Sequence, residues 1–369
     1  RGRVLLRAAC RGSRQGRVNM ASRSSVFADA GILQVIEALP APRFQHLRRM
    51  TDHVGLWEHA RYTTPRPEHG YCTDDNARAL ILLSREFDPS AELIGLARFY
   101  FRFVADAALP QGGFHNRRGA DESWADEIGS DDSQGRAIWS LGSAARLGPE
   151  EWMRRAALGL FHQQEGFGST SPRANAFAIL GASEVLAGDP ENAVARTALT
   201  QWARGLHVSD DPGWPWPEPR LAYDNARIPE ALIAAGISLG NDGLVEAGLR
   251  LLEWLVTIET RDDHYSFAPV GGWEWGEPRP GYDQQPVEAA AMADACTRAW
   301  LLTGDGKWKD GVLRAARWLI ADNDGDVVLY DFETGGCCDG LAVKGPNMNQ
   351  GAESTLSALS TLQQARRVV

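Results

Sequence analysis

Strand-forming stretches are what this sequence has least of. Across 369 residues a β-type run is readable only at VVLYDF, residues 327–332, which excludes sandwiches and doubly wound sheets. No βαβ pattern and no Gly-rich nucleotide loop occurs, so a Rossmann-type nucleotide-sugar transferase core does not fit. No apolar run reaches the roughly 18–20 residues of a membrane span, and no membrane partner is expected. The five cysteines (10, 72, 296, 337 and 338) are too irregular for a disulfide framework. The pair Cys337–Cys338 has no second CxxC, and no His/Cys cluster has ligand spacing. No metal and no cofactor are therefore expected, and a reducing, cytoplasmic location is the default. Bases are in deficit, 38 against 48 acids, for a formal charge of −10. That balance argues against nucleic acid as a partner.

Helix starts are plentiful. GYCTDDNARALILL at 70–83 begins as a turn, sets Asp74 and Asp75 side by side, and runs into an apolar helix. The device returns as DDSQGRAIWSL at 131–141, YDNARIPEALI at 223–233, DQQPVEAAAMADA at 283–295 and NQGAESTLSAL at 349–359, with a weaker copy, SPRANAFAIL, at 171–180. These open helices rich in Ala, Leu and Ile at about 75–87, 132–147, 173–187, 224–239, 284–302 and 350–366. Between them lie more amphipathic, charged helices at about 90–108, 149–164, 190–206, 242–258 and 306–321, with 44–60 as a sixth. A first helix is expected at 26–39. Residues 1–19, basic and preceding Met20, are expected to be a disordered or appended tail, leaving 20–369 as a single domain.

Helices apolar nearly all round belong in a buried ring, and one-sided helices cover it. Starts that recur every 41 to 66 residues mark a helical hairpin that cannot bury its face alone. Six hairpins predict an all-α fold, a closed (α/α)6 toroid; an open solenoid of the same pairs is the alternative. Joins from an inner helix to the next outer one are short. The returns, at 108–131, 206–223, 259–283 and 322–349, are long, and long loops in a compact domain are usually functional. All of them emerge where the inner helices have their N-termini, so the site is expected at that end.

Those loops carry aromatic and acidic residues together. Trp214, Trp216, Trp273 and Trp275 alternate along Pro/Gly-rich backbone, and Trp124 and His115 stand in the 112–132 loop. Indole faces stack on sugar C–H faces while acids and amides bond the hydroxyls; the alternative is that the rings only plug the toroid end. Asp224, Asp283, Gln284, Asn349 and Gln350 sit at helix starts and are candidate sugar ligands. Asp75, Asp132, Asp224 and Asp283 could each be an N-cap, worth about 1 kcal/mol. Capping needs only one acid of each adjacent pair, which leaves Asp74 and Asp131 over. A like-charged pair in a partly desolvated pocket raises one pKa, letting an acid and a base coexist near neutrality. Glycoside hydrolysis needs such a pair. Glu353, in the first turn of the last inner helix, is a further catalytic candidate, although a capping box would also place it there. Glu230 and Glu288 are expected to pair with arginine inside the ring. Arg78, Arg136 and Arg227, each a few positions after an acid, fit buried pairs that fix hairpin register; the alternative is binding of a substrate carboxylate or phosphate.

HGYCTDDNARAL at 69–80 and NQGAESTLSAL at 349–359 resemble signatures of bacterial glycosidase- and glycosyltransferase-related all-helical proteins. The resemblance spans about residues 25–366. In some of those proteins the helical unit follows a glycosyltransferase domain, which implies a functional association with such an enzyme. More distantly the arrangement resembles the six-hairpin glycosidases, including unsaturated glucuronyl hydrolases. Their acids at the starts of early inner helices map by position onto Asp75 and Asp132.

The expectation is thus a glycoside hydrolase acting on an oligosaccharide, with Asp75 and Asp132, flanked by Asp74 and Asp131, as acid and base. Three rivals stand beside it. An inverting phosphorylase would use Arg117, Arg118 and Lys344 for phosphate. An epimerase or isomerase would want inward histidines, and none of the six motifs carries one. A non-catalytic sugar-binding module is the third.

Overall fold

The computed structural model describes residues 39–369, of which Pro40–Val369 form one compact unit. Residues 1–19 and the first helix expected at 26–39, save its last residue, lie outside the described residues.

Twelve α-helices occur among the described residues. After a short α1, Gln45–Arg49, they alternate as the apolar pattern predicts. The inner set is α2 (Thr73–Ser84), α4 (Asp131–Leu147), α6 (Pro172–Gly188), α8 (Arg227–Leu239), α10 (Pro286–Thr303) and α12 (Ala352–Arg367). The outer set is α3 (Ala91–Ala107), α5 (Glu151–His162), α7 (Ala193–Ala203), α9 (Asp242–Ile258) and α11 (Gly306–Trp318). Each inner helix packs on the next, and α12 packs back on α2, so the ring is closed rather than an open solenoid. In α6 every residue from Arg173 to Leu186 is buried. In α9 only Gly248, Leu251, Leu252 and Leu255 are. Glycine sets the closest seam: a Cβ on Gly142 of α4 would run into the Gly181 carbonyl of α6.

The helix ends follow ordinary capping chemistry. Ser90, Asn192, Asn241 and Asp305 cap outer helices, and Gly240 and Gly304 close α8 and α10 in the left-handed conformation. The turns at the C-terminal end of the inner ring are short. At the other end the long loops carry five two-stranded antiparallel sheets, three of them hairpins within one loop and two of them stitching one loop to another. Tyr71–Cys72, before α2, pairs with Arg117–Arg118, before α4. Arg220–Leu221, before α8, pairs with Trp273–Glu274, before α10. The backbone N–H groups of Gln350 and Ala352 donate to the carbonyls of Tyr62 and Glu58, tying the last loop to the first.

Two expectations fail locally. The helix expected at 44–60 ends after Arg49. Asp52 Oδ1 accepts from the N–H groups of Val54 and Gly55, a local turn that competes with the helix ladder. At Gly55 the backbone lies so close to the Phe103 ring that a Cβ would come within 2.6 Å of it. VVLYDF makes only isolated bridges, Val328 to Ile320 and Tyr330 to Cys337, and no strand. Its adjacent Leu329 and Tyr330 are both buried, so the run lacks the one-sided burial of a half-buried strand.

Candidate active site

None of the acids at the starts of the inner helices is the cap of its helix. Cys72 Sγ accepts from the Asp75 N–H at the start of α2, Ser130 Oγ from the Ser133 N–H at α4, and Ser171 Oγ from the Ala174 N–H at α6. Helices α8, α10 and α12 have no side-chain cap. The capping expectation for Asp75, Asp132, Asp224 and Asp283 therefore fails, because serine or cysteine one to three positions upstream fills that place in the helices that are capped. The acids stand in or beside the first turn with their carboxylates released for other partners.

Arg78 and Arg136, one turn inside α2 and α4, gather these partners. Arg78 lies 3.2 Å from Asp74 and 3.6 Å from Asp75, pairs closely with Glu353, and comes within 4.0 Å of Asp224. Arg136 holds Asp74 and Asp224, each at 2.7 Å. Residues from α2, α4, α12 and the turn before α8 thus meet at the mouth. Just inside lies a cavity of about 40 Å³ whose lining includes Arg78, Arg136, Trp139, Asp224 and Asp294.

Within this cluster the two adjacent acids of α2 differ. Asp74 bridges two guanidinium groups. Asp75 is buried, 4% exposed, and accepts a hydrogen bond from the Cys72 thiol at 3.2 Å. Burial pushes its carboxyl up to about 8; Arg78 opposes this, while Asp74, Glu353 and Glu58 reinforce it. At neutral pH Asp75 holds a proton beside Asp74 and Glu353, which are paired with arginine. On α4, Asp131 is exposed and accepts from Ser169 Oγ at 2.5 Å. Asp132 is half-buried and accepts from the Tyr223 hydroxyl.

Several proposed sugar ligands lie elsewhere. Asp224 is fully buried; burial works to raise its carboxyl, but Arg136, Arg227 and Arg78 outweigh it and hold it below the usual range. It is a hub of the ring and is not open to a ligand. Gln284 is buried too, its side chain accepting from the Phe267 N–H and Trp318 Nε1. Asp283 is exposed, and its carbonyl accepts from Val270 N–H. Asn349 Oδ1 accepts from the Tyr62 N–H, and Gln350 is buried with its backbone on Tyr62 and His46.

The tryptophans are mostly a plug. Trp214, Trp216 and Trp273 are buried; Trp214 and Trp216 pack on Trp254, and Trp273 on Trp214, with ring centroids 5.2 to 6.0 Å apart. Their bulk makes them loop core, because Pro/Gly-rich backbone supplies few other apolar contacts. Trp275 leans on Trp214 but is 56% exposed. Trp124 stacks on His115 at 5.0 Å, and His115 Nδ1 is bonded to the Asp126 carbonyl. The aromatic rings left open in the mouth loops are Tyr62, Tyr223 and Trp275.

The expected arginine pairs form: Arg227 meets Glu230 at 2.8 Å and Asp294 at 2.6 Å. Glu230 also meets Arg298. Glu288 departs from the expectation: it accepts from the backbone N–H groups of Asp224 and Asn225 and from Asn225 Nδ2, with no arginine among its hydrogen-bond or ion-pair partners. Arg117 is paired with Glu58, and Arg118 lies over the Trp124 ring near Glu122, so neither is a vacant phosphate ligand. Glu58, Cys72 and Asp75 each place a donor atom within 4.8 Å of the others. Glu58 is paired with Arg117, and the Cys72 thiol donates to Asp75. Sequence reasoning missed Tyr223, Tyr62, Cys72 and Glu58; the only signal for Tyr223 was its place immediately before the buried Asp224.

Neither a protein-family model nor a curated protein sequence matches the chain. Solved structures do. A sugar epimerase from a ruminal bacterium aligns with TM-score 0.70 at 14% identity, covering 90% of this chain and 98% of that one. A cellobiose 2-epimerase from Bacillus thermoamylovorans aligns with TM-score 0.69 at 12% identity over 91% and 98%. An α-1,6-mannanase of Salegentibacter sp., an inactive variant with two aspartates at consecutive positions replaced by asparagine, in complex with α-1,6-mannotriose, aligns with TM-score 0.60 at 11% identity over 91% and 99%. At these identities the likeness is one of fold, and that fold is the closed (α/α)6 toroid. Among the described residues no helix is long and apolar enough to cross a membrane.

Proposed function

We propose that this chain is a glycoside hydrolase acting on an oligosaccharide at the mouth of the toroid. The observation that carries the reading is Asp75: a carboxyl pushed to about 8 by burial, in a cluster where Asp74 and Glu353 are paired with Arg78. Such a group holds a proton at neutral pH and can give it to a glycosidic oxygen as the C–O bond breaks, while a second carboxylate takes the proton of the attacking water. Asp132 is the second carboxylate in this scheme, half-buried at the start of the neighbouring inner helix. Glu353, shared with Arg78, balances the guanidinium. The mannanase of the same fold was inactivated through two consecutive aspartates, and this chain sets two of its consecutive pairs, Asp74–Asp75 and Asp131–Asp132, in the first turns of inner helices.

Epimerase or isomerase chemistry is the second reading, favoured by the two epimerases of the same fold. It calls for a base near neutrality facing a sugar carbon, commonly histidine. The inner helices carry no histidine, and this places it second. Phosphorolysis comes third, given the pairing of Arg117 and Arg118.

One experiment separates them. Mannose-, glucose- and uronate-containing oligosaccharides are incubated with the protein, with and without phosphate, and products are read by NMR. New reducing ends without phosphate support the hydrolase. A sugar phosphate or an isomer of unchanged mass replaces that reading, and no turnover of any oligosaccharide ends it.

A further inference from the structure

We propose that Tyr223 is the sugar platform of this site and also positions Asp132. The inference rests on the hydrolase reading and deepens it. Tyr223 is the last residue of its loop before the chain turns inward, and Asp224 takes a left-handed backbone with φ of 51°. Left-handed non-glycine residues persist where the surroundings over-determine them, and here they do. The Asp224 N–H is held by Glu288 and its carboxylate by Arg136, Arg227 and Arg78. Asp224 is wholly buried while Tyr223, one residue earlier, is 40% exposed. The turn thus drives one side chain into the ring and leaves the other at the mouth.

The exposed ring is not loose. The Arg173 guanidinium lies over it, 4.9 Å from the centroid. Arg173 is itself buried and tied to Glu218 at 2.5 Å and to Asn225 Oδ1 at 3.1 Å. The Tyr223 hydroxyl donates to Asp132 Oδ2. An aromatic fixed at both its face and its tip loses little freedom when a ligand stacks on it. A sugar ring seated on Tyr223 stands beside the carboxylate that the same residue orients. Trp214, Trp216 and Trp273 cannot serve this way, since they are spent on one another.

Two variants test this by steady-state kinetics on an oligosaccharide that wild type cleaves and by calorimetric binding of the same sugar. Tyr223→Phe keeps the ring and removes the hydroxyl; kcat is expected to fall about 10-fold with KM changed less than about 2-fold. Tyr223→Ala removes both; kcat is expected to fall as in the Phe variant and affinity to weaken about 10-fold. The KM-against-kcat split is what a purely structural role would not produce, and the Phe variant guards against misfolding of the Ala variant. Full kcat in Tyr223→Phe overturns the positioning role, and unchanged affinity in a folded Tyr223→Ala overturns the platform. If wild type cleaves no oligosaccharide, the hydrolase reading and the positioning role fall together, while the platform is still judged by calorimetry. If wild type binds none, all are overturned.

Discussion

The mouth of the toroid and the deeper interior of the ring are built from the same side chains and treat them oppositely. Deep in the ring, Asp294 meets Arg227 at 2.6 Å and Arg85 at 3.0 Å. Burial pulls its carboxyl up, but the two arginines prevail and hold it down at about 2. Glu184, between Arg146 and Arg298, is likewise held below the usual range despite its burial. At the mouth Asp75 has one guanidinium, 3.6 Å away, which also serves Asp74 and Glu353. A cation divided among three carboxylates cannot repay the desolvation of the most buried one, and that one keeps its proton. Burial is common to both ends; the number of cations per acid decides which carboxylate is held ionised and which keeps its proton.

The sharpest way to break this comparison is to neutralise one acid from each end. Asp75→Asn is expected to lower kcat by about 10²–10⁴-fold while the melting temperature holds, since the wild-type group is already neutral. Asp294→Asn is expected to do the reverse, costing about 3–5 kcal/mol of stability by leaving buried arginines underpaired and sparing kcat in the folded fraction. Thermal melts beside turnover decide it; a Asp75→Asn protein that melts early with kcat intact would make the mouth acid structural after all.

A second test uses pH. Between about 4 and 8 the folded chain keeps the Asp75 proton and the unfolded chain, with an ordinary aspartate pKa, does not. The native state then binds more protons, so this group's contribution to stability declines as pH rises through that window. Wild type is expected to melt higher at pH 5.5 than at pH 8, and Asp75→Asn to show a shallower slope. Glu259, raised by burial to about 7, and Glu288, raised in the same direction, leave a residual slope in the variant. Turnover is expected to fall above about pH 8, where Asp75 loses its proton; a rate that keeps climbing there would assign the acid elsewhere.

The smallest effect concerns substrate charge. The mouth guanidiniums of Arg78, Arg136, Arg173 and Arg117 already hold carboxylates. A uronate gains no free cation from these four and meets the acids around them. Its kcat/KM is expected to be about 10-fold below that of the matching neutral sugar, with the gap narrowing as salt screens the repulsion. Equal rates at low salt would mean that the pairs at the mouth open for the ligand.

The regular part of this protein was legible because small, all-round apolar helices and one-sided helices differ in composition. The spans expected at 132–147 and 242–258 match α4 and α9 to within a residue. What failed depended on where a helix begins or on neighbours distant in sequence. Asp75 does not cap its helix because the helix begins at Thr73, with Cys72 Sγ accepting from the Asp75 amide. Whether Trp214 faces a sugar turns on Trp254 and Trp273, 40 and more residues away. Tyr223 was invisible because its exposure follows from the inward turn of Asp224, which in turn follows from Glu288 on another helix. Pattern reads the element; only the assembled ring reads the side chain.

Ring closure has a consequence for how the protein comes into being. Arg78 belongs to the first inner helix and Glu353 to the last, 275 positions apart. As a chain is synthesised, the early hairpins collapse while Arg78 still lacks one of its carboxylates, and the cluster is completed only when α12 docks against α2. Closing so long a loop is a late and slow step. Forms that stop short of α12 would hold most of the helix, with Arg136 on Asp74 and Asp224 but Arg78 without Glu353.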